Sequence, residues 1–202
     1  MKPIRTLIAL TILLASATIA LAQNAPPTRI RGTVVSLDGA TLTVATREGP
    51  QAKIVLAPEW AVRLVVPVGI EEVKQGSFVG IAAEPQKDGS LKALEVLVLP
   101  EAMRGSNEGH YPWDLTPESL MTNATVAALV QGNDGHTVTL AYKDGTKTIL
   151  VPKGIPIVTF APGDRALIVP GAKVLVTATK DAAGQLNARG MLVGKDGMMP
   201  PM

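Results

Sequence analysis

Apolar and polar residues alternate in short bursts along most of the chain. In 40–46 (ATLTVAT), Leu42 and Val44 fall on one face and Thr41 and Thr43 on the other, the period of a half-buried strand. Comparable runs occupy 31–37 (RGTVVSL), 52–57 (AKIVLA), 62–66 (VRLVV), 78–83 (FVGIAA) and 91–99 (LKALEVLVL). Turn chemistry separates them. Asp38-Gly39 and Asp88-Gly89 predict tight hairpins, because Gly tolerates the positive φ such turns require, and Glu48-Gly49-Pro50 predicts a further reversal. Helical signals are weak. Segments 68–74 and 116–120 predict one or two turns each, the second with Thr116 as cap and Pro117 at the first helical position.

The same pattern then recurs. TVVSL at 33–37 aligns with TVAAL at 125–129, and DGATLTVATREG at 38–49 with DGHTVTLAYKDG at 134–145. KIVLAP at 53–58 aligns with KTILVP at 147–152. QGSFVGIAAEPQKDGSLKALEVLV at 75–98 aligns with PGAKVLVTATKDAAGQLNARGMLV at 170–193. The offset drifts only between 92 and 96, and the changes fall at turns. Matching turns, prolines and alternation mark a tandem duplication.

The organisation that follows is a β-unit over 30–100, a non-repeated connector over 101–123, a second β-unit over 124–194 and a tail over 195–202. Each unit has five or six short strands in about 70 residues. That is too little for a large sandwich but suits a small closed barrel, which leaves no exposed edge. The expected fold is therefore all-β: two tandem small OB-like β-barrel domains joined by the connector. A single sandwich formed by pairing the two units' sheets is the alternative.

The N-terminus stands apart from this pattern. Lys2 and Arg5 precede an apolar run to Leu21, and Ala20-Leu21-Ala22 is a small-x-small site before Gln23. Residues 1–22 thus read as a secretory signal peptide, with 23–29 an extended, proline-containing lead-in. The mature protein is then periplasmic or secreted. Without Lys2 and Arg5, 17 of the 19 basic residues remain against 17 acidic ones. The balance carries no nucleic-acid footprint, which needs a clustered basic excess. No second long apolar segment follows, so the mature chain has no expected transmembrane span. There is no cysteine, which removes disulfides, thiolate metal sites and cysteine nucleophiles.

The connector EAMRGSNEGHYPWDLTPESLMTN gathers the candidate chemistry. Only six aromatic residues exist, and Tyr111 and Trp113 are both here. Together with Arg104, His110 and Asp114 they form a candidate binding groove, because aromatics supply large contact area. The competing account is structural, with Trp113 plugging the space between two barrels. His110 lies near several carboxylates, and Met103 and Met121 flank the connector. These three are the candidate metal ligands, since thioethers suit Cu(I) and imidazole suits several divalent ions; Met equally fills gaps in packed interfaces. No nucleophile elbow, phosphate loop or paired acid–base constellation is present. The expectation is a non-enzyme with no resident cofactor beyond a candidate metal ion.

The repeat GTVVSLDGATLTVATREG, its continuation QGSFVGIAAEPQKDGSLKALEV and the connector resemble those of an exported bacterial family. That family is built from an OB-like domain of unknown function, and the similarity covers essentially all of the mature chain, including its PPM ending. The resemblance implies a secreted β-protein without catalytic residues. Some members carry the name of a metal ABC transporter permease; a chain without a membrane bundle fits only an exported accessory. The leading expectation is a non-catalytic binding or interaction module of the cell envelope, with an envelope protein or small ligand as partner. The alternative is a periplasmic accessory in copper or other divalent-metal handling.

Overall fold

A computed structural model describes residues 27–202. The expected signal peptide and residues 23–26 of the lead-in lie outside the described residues. Twelve strands are found among the described residues. In chain order they are β1 (Thr28–Asp38), β2 (Thr41–Thr46), β3 (Gln51–Pro67), β4 (Phe78–Pro85), β5 (Leu91–Val98) and β6 (Gly109–Pro112). Then follow β7 (Leu120–Gly132), β8 (Gly135–Tyr142), β9 (Gly145–Pro152), β10 (Ile157–Pro162), β11 (Lys173–Lys180) and β12 (Leu186–Gly194). The protein is all-β, as the alternation predicts. The predicted Asp38-Gly39 turn joins β1 to β2, with Gly39 at φ 54°, a conformation open to Gly without strain.

Five strands close a barrel in the order β1–β2–β3–β12–β11 and back to β1. The first three come from the first sequence repeat and the last two from the second. A second ring runs β4–β7–β8–β9–β5 and back to β4, closed by a short parallel pairing of Leu91 with Ile149 and Lys92 with Leu150. It takes β7–β9 from the second repeat and the β4–β5 hairpin from the first. Each repeat therefore sends its last hairpin into the ring founded by the other. The repeat in the sequence and the ring in space divide the chain differently.

A short antiparallel ladder joins the first ring to β10, which pairs in parallel with β5 of the second. On it β3 meets β10, with Val65 opposite Phe160, Arg63 opposite Pro162 and Pro67 opposite Val158. Arg63 and Pro67 are the sequence counterparts of Val158 and Pro162, so the ladder has a pseudo-two-fold centre at Val65 and Phe160.

Three apolar clusters follow this plan. One fills the closed barrel with Val34, Leu42, Val44, Ile54, Val174 and Val176 among others. A second fills the other ring around Val79, Ile81, Val96, Val126, Leu140 and Ile149. The third lies between the rings and contains Val65, Phe78, Leu97, Leu99, Val158, Leu175 and Met202. Buried aliphatic side chains contribute roughly 1.5–3 kcal/mol each, so this intermediate core couples the two rings.

Two local expectations are corrected. The runs 52–57 and 62–66 are one strand, β3, rather than two. Its ladder with β12 jumps from Leu56–Ala188 to Ala61–Gly190, and the irregularity accommodates Pro58, which has no N–H to donate. Segment 116–120 is a turn, not a helix: the Ser119 amide donates to the Thr116 carbonyl, and the Ser119 hydroxyl accepts from the Thr116 amide. Segment 68–74 keeps a single 3-10 turn, Ile70–Glu72.

Candidate binding cleft between the strand rings

The cleft is built on one face of the β6–β7–β4–β5 sheet. Tyr111, Met121, Ala82 and Glu95 stand in one row across those four strands, and Gly109, Asn123, Gly80 and Leu97 in another. Directly paired residues project to the same side, so Tyr111, Met121, Asn123 and Leu97 share that face. Gly80 keeps the floor low; a Cβ there would run into the Asn123 side chain. Opposite stand Ala61 to Arg63 of β3, Phe160 and Pro162 of β10, Leu175 and Thr177 of β11, and Arg189 to Leu192 of β12. The connector segment with Met103 and 106–108 forms one rim. The cleft is open to solvent and has a volume of about 1150 Å3, just above the ~300–1,000 Å3 range of small-molecule sites.

The connector is pinned at this cleft by strand β1. Asp114 receives a hydrogen bond of 2.8 Å from Arg31 Nη2 and faces Arg29 Nη1 at 3.4 Å. Arg31 is almost fully buried, and its Nε donates to the Met202 carbonyl oxygen at 2.6 Å. The Arg29 guanidinium lies 3.7 Å over the Trp113 ring, a cation–π contact. Trp113 meets Tyr111 edge-on at 6.1 Å, and the Tyr111 hydroxyl accepts from Asn123 Nδ2 at 2.9 Å. Partial burial works to raise the Asp114 carboxyl, but the Arg31 hydrogen bond and both arginine charges outweigh it and hold it below the ordinary carboxylate range.

Glu95 was not singled out by its sequence, yet it is the most unusual residue near the site. It is fully buried in the Tyr111–Met121 row, and neither carboxylate oxygen has a hydrogen-bond partner. Burial pushes its carboxyl up to about 8, partly opposed by the charge of Arg31. The signal that could have found it is the comparison of the repeats, which sets Glu95 in an apolar run against Gly190. A second orphan is Trp113 Nε1, buried at the cleft wall without an acceptor.

The sequence candidates separate into two groups. Tyr111, Trp113, Met103 and Met121 line the cleft. His110, Asp114 and Arg104 are not among its lining residues. His110 alternates to the other face of β6, where its Nδ1 lies 2.8 Å from the Thr122 hydroxyl; burial, then the charge of Lys147, lowers its pKa. Arg104 forms a 2.5 Å ion pair with Glu101, and its Nη2 donates to the Gly76 carbonyl at 2.9 Å. Among the described residues no group of three or more His, Asp or Glu side chains is placed to hold a metal ion. Met191 and Met202 join Met103 and Met121 on the cleft.

Among the described residues, no helix is long and apolar enough to cross a membrane. Compared with family models, curated proteins and solved structures, the chain matches none of them.

Proposed function

We propose that the protein is an exported, non-catalytic binding module of the cell envelope, with its ligand held in the cleft between the rings. The observation that carries this reading is the cleft itself. It is a large concavity lined mainly by apolar side chains, Leu97, Leu99, Met121, Phe160, Leu175 and Leu192 among them, with polar groups such as Arg63, Asn123 and Arg189 interspersed; ligand sites combine an apolar lining with placed polar groups. The two rings are read as a pair of OB-like barrels that exchange hairpins, and the connector as the clasp that fixes their angle. The apolar run before Gln23 supports export to the periplasm or beyond. The resemblance of the repeats to an exported family of unknown function agrees with this.

The test is binding of the uncharged dye Nile red to the full mature chain. Ala61 and Thr177 are exposed residues of the cleft wall, so Ala61→Trp and Thr177→Trp fill the space without touching a core. Saturable binding lost in both variants supports the cleft. Binding unaffected by both contradicts it.

A second reading draws on the four methionines of the cleft, Met103, Met121, Met191 and Met202. Thioethers bind Cu(I), which fits a metal-handling accessory. Titration with Cu(I) under a competing chelator tests it, with Met103→Leu/Met121→Leu as the control that must lose the metal.

A further inference from the structure

Two arginines on the cleft wall have no carboxylate partner among the described residues. Arg63 on β3 and Arg189 on β12 both line the space, and among the described residues neither forms an ion pair. The other charges there are already engaged. Arg29 is held by Asp114 and Trp113, and Glu108 Oε1 accepts from the Lys143 amide at 3.1 Å. With Arg29 paired to Asp114, Arg63 and Arg189 against Glu108 still leave the lining positive. The nearest aromatic face to Arg63 is Phe160, 5.9 Å from ring centroid to guanidinium carbon, a distance that leaves its N–H donors free.

The two arginines stand on adjacent paired strands. Gly190 lies opposite Ala61 and Leu192 opposite Arg63, so Arg189 and Arg63 are three positions apart along the strands, roughly 10 Å at ~3.3 Å per residue. Arg189 occupies the irregularity where β12 slips against β3, and such bulges re-aim a side chain. The duplication supplies no structural reason for either residue. The counterparts of Arg63 and Arg189 are Val158 and Leu94, and β10 pairs with β5, and β5 with β4, with those apolar residues in place. Beyond the arginines the lining is mostly aliphatic and aromatic, with Ser106, Asn107, Glu108, Asn123 and Thr177 as its other polar side chains.

We propose that the cleft takes a monomeric single-chain amphiphile with an anionic carboxylate head. The head lies on Arg63 and Arg189, where guanidinium forks match carboxylate geometry. The chain lies along Leu97, Met121, Phe160, Leu175 and Leu192. This rests on the reading of the cleft as a binding site and adds the ligand's class.

The experiment is calorimetric titration of the full mature chain with dodecanoate, below its micellar concentration, and with the neutral analogue dodecanol. Dodecanoate is expected to bind at least tenfold tighter than dodecanol. Arg63→Ala/Arg189→Ala is expected to bring dodecanoate to the dodecanol level while leaving dodecanol binding unchanged; both side chains are exposed, so the fold is retained. Arg63→Lys/Arg189→Lys should restore part of the difference. Equal affinity for the two ligands, or an unchanged preference in the double alanine variant, overturns the anionic-head assignment and leaves the cleft reading standing. Binding of neither ligand overturns both. Capture by anionic vesicles without binding of free dodecanoate also overturns the proposal, in favour of a membrane surface.

Discussion

Arg31 Nη2 lies 2.8 Å from Asp114 Oδ1, joining the first strand of the chain to a connector 83 residues away. The arginine is buried while the carboxylate is part-exposed. Removing the carboxylate therefore strands a buried cation rather than freeing a surface one. Asp114→Asn is expected to lower stability by about 1–2 kcal/mol, the scale of a lost charge-assisted hydrogen bond. Chemical denaturation at pH 7 measures it. Because the folded Asp114 carboxyl titrates below its ordinary range, the contribution is present above pH 3.8 and disappears as pH falls through the lowered value.

Glu95 gives the opposite pH dependence. Its folded carboxyl holds a proton up to about pH 8, against 4.5 when unfolded. Between those values the folded state binds the extra proton, so the Glu95 contribution to stability is fully present below pH 4.5 and is lost as pH rises towards 8. The fall amounts to a few kcal/mol for a fully buried acid. Glu95→Gln removes the titration, and its stability profile over this window is expected to be flatter than that of the parent. Urea midpoints at pH 5, 6.5 and 8 compare the two; parallel profiles would remove Glu95 from the account.

The exchange of hairpins predicts how fragments behave. Residues 27–104 contain β1–β3 but not the β11–β12 hairpin that closes their barrel. This half is expected not to fold as a monomer, while mixing it with 105–202 restores β-structure in a 1:1 complex. Circular dichroism and size-exclusion chromatography read both outcomes. A folded monomeric half would contradict the strand order.

Gly32 illustrates how tightly β1 and β2 approach. A Cβ at that position would collide with the Ala45 carbonyl oxygen and the Val44 side chain. Gly32→Ala is expected to cost about 1–3 kcal/mol, the range for overpacking, measured as a lowered thermal midpoint.

Much of this structure is written in the alternation. Leu42 and Val44 do enter the barrel core, while Thr41 and Thr43 are left half-exposed, because a two-residue period fixes which face a side chain takes. Alternation does not say which distant strand lies alongside. Nothing in 173–180 marks its pairing with β1 rather than with β7, since both belong to the same duplicated pattern. The four-residue strand β6 was hidden for a different reason: its pairing with β7 depends on the tertiary path of the connector. At the cleft, Tyr111, Trp113, Met103 and Met121 attract notice as rare residue types. Arg63 and Arg189 do not, because an arginine on an exposed strand face looks like ordinary surface until the opposite wall is in place.

A ligand held in the space between the rings would be felt by the methionine methyl groups that line it. The chain has seven methionines, few enough to resolve singly. On titration of the methyl-labelled residues 23–202 with dodecanoate, the signals of Met103, Met121 and Met191, which line the cleft, are expected to shift together and saturate. Met199, which does not line it, is expected to stay in place. An unchanged spectrum at saturating ligand, or shifts confined to Met199, would place the ligand outside the cleft or show that none binds.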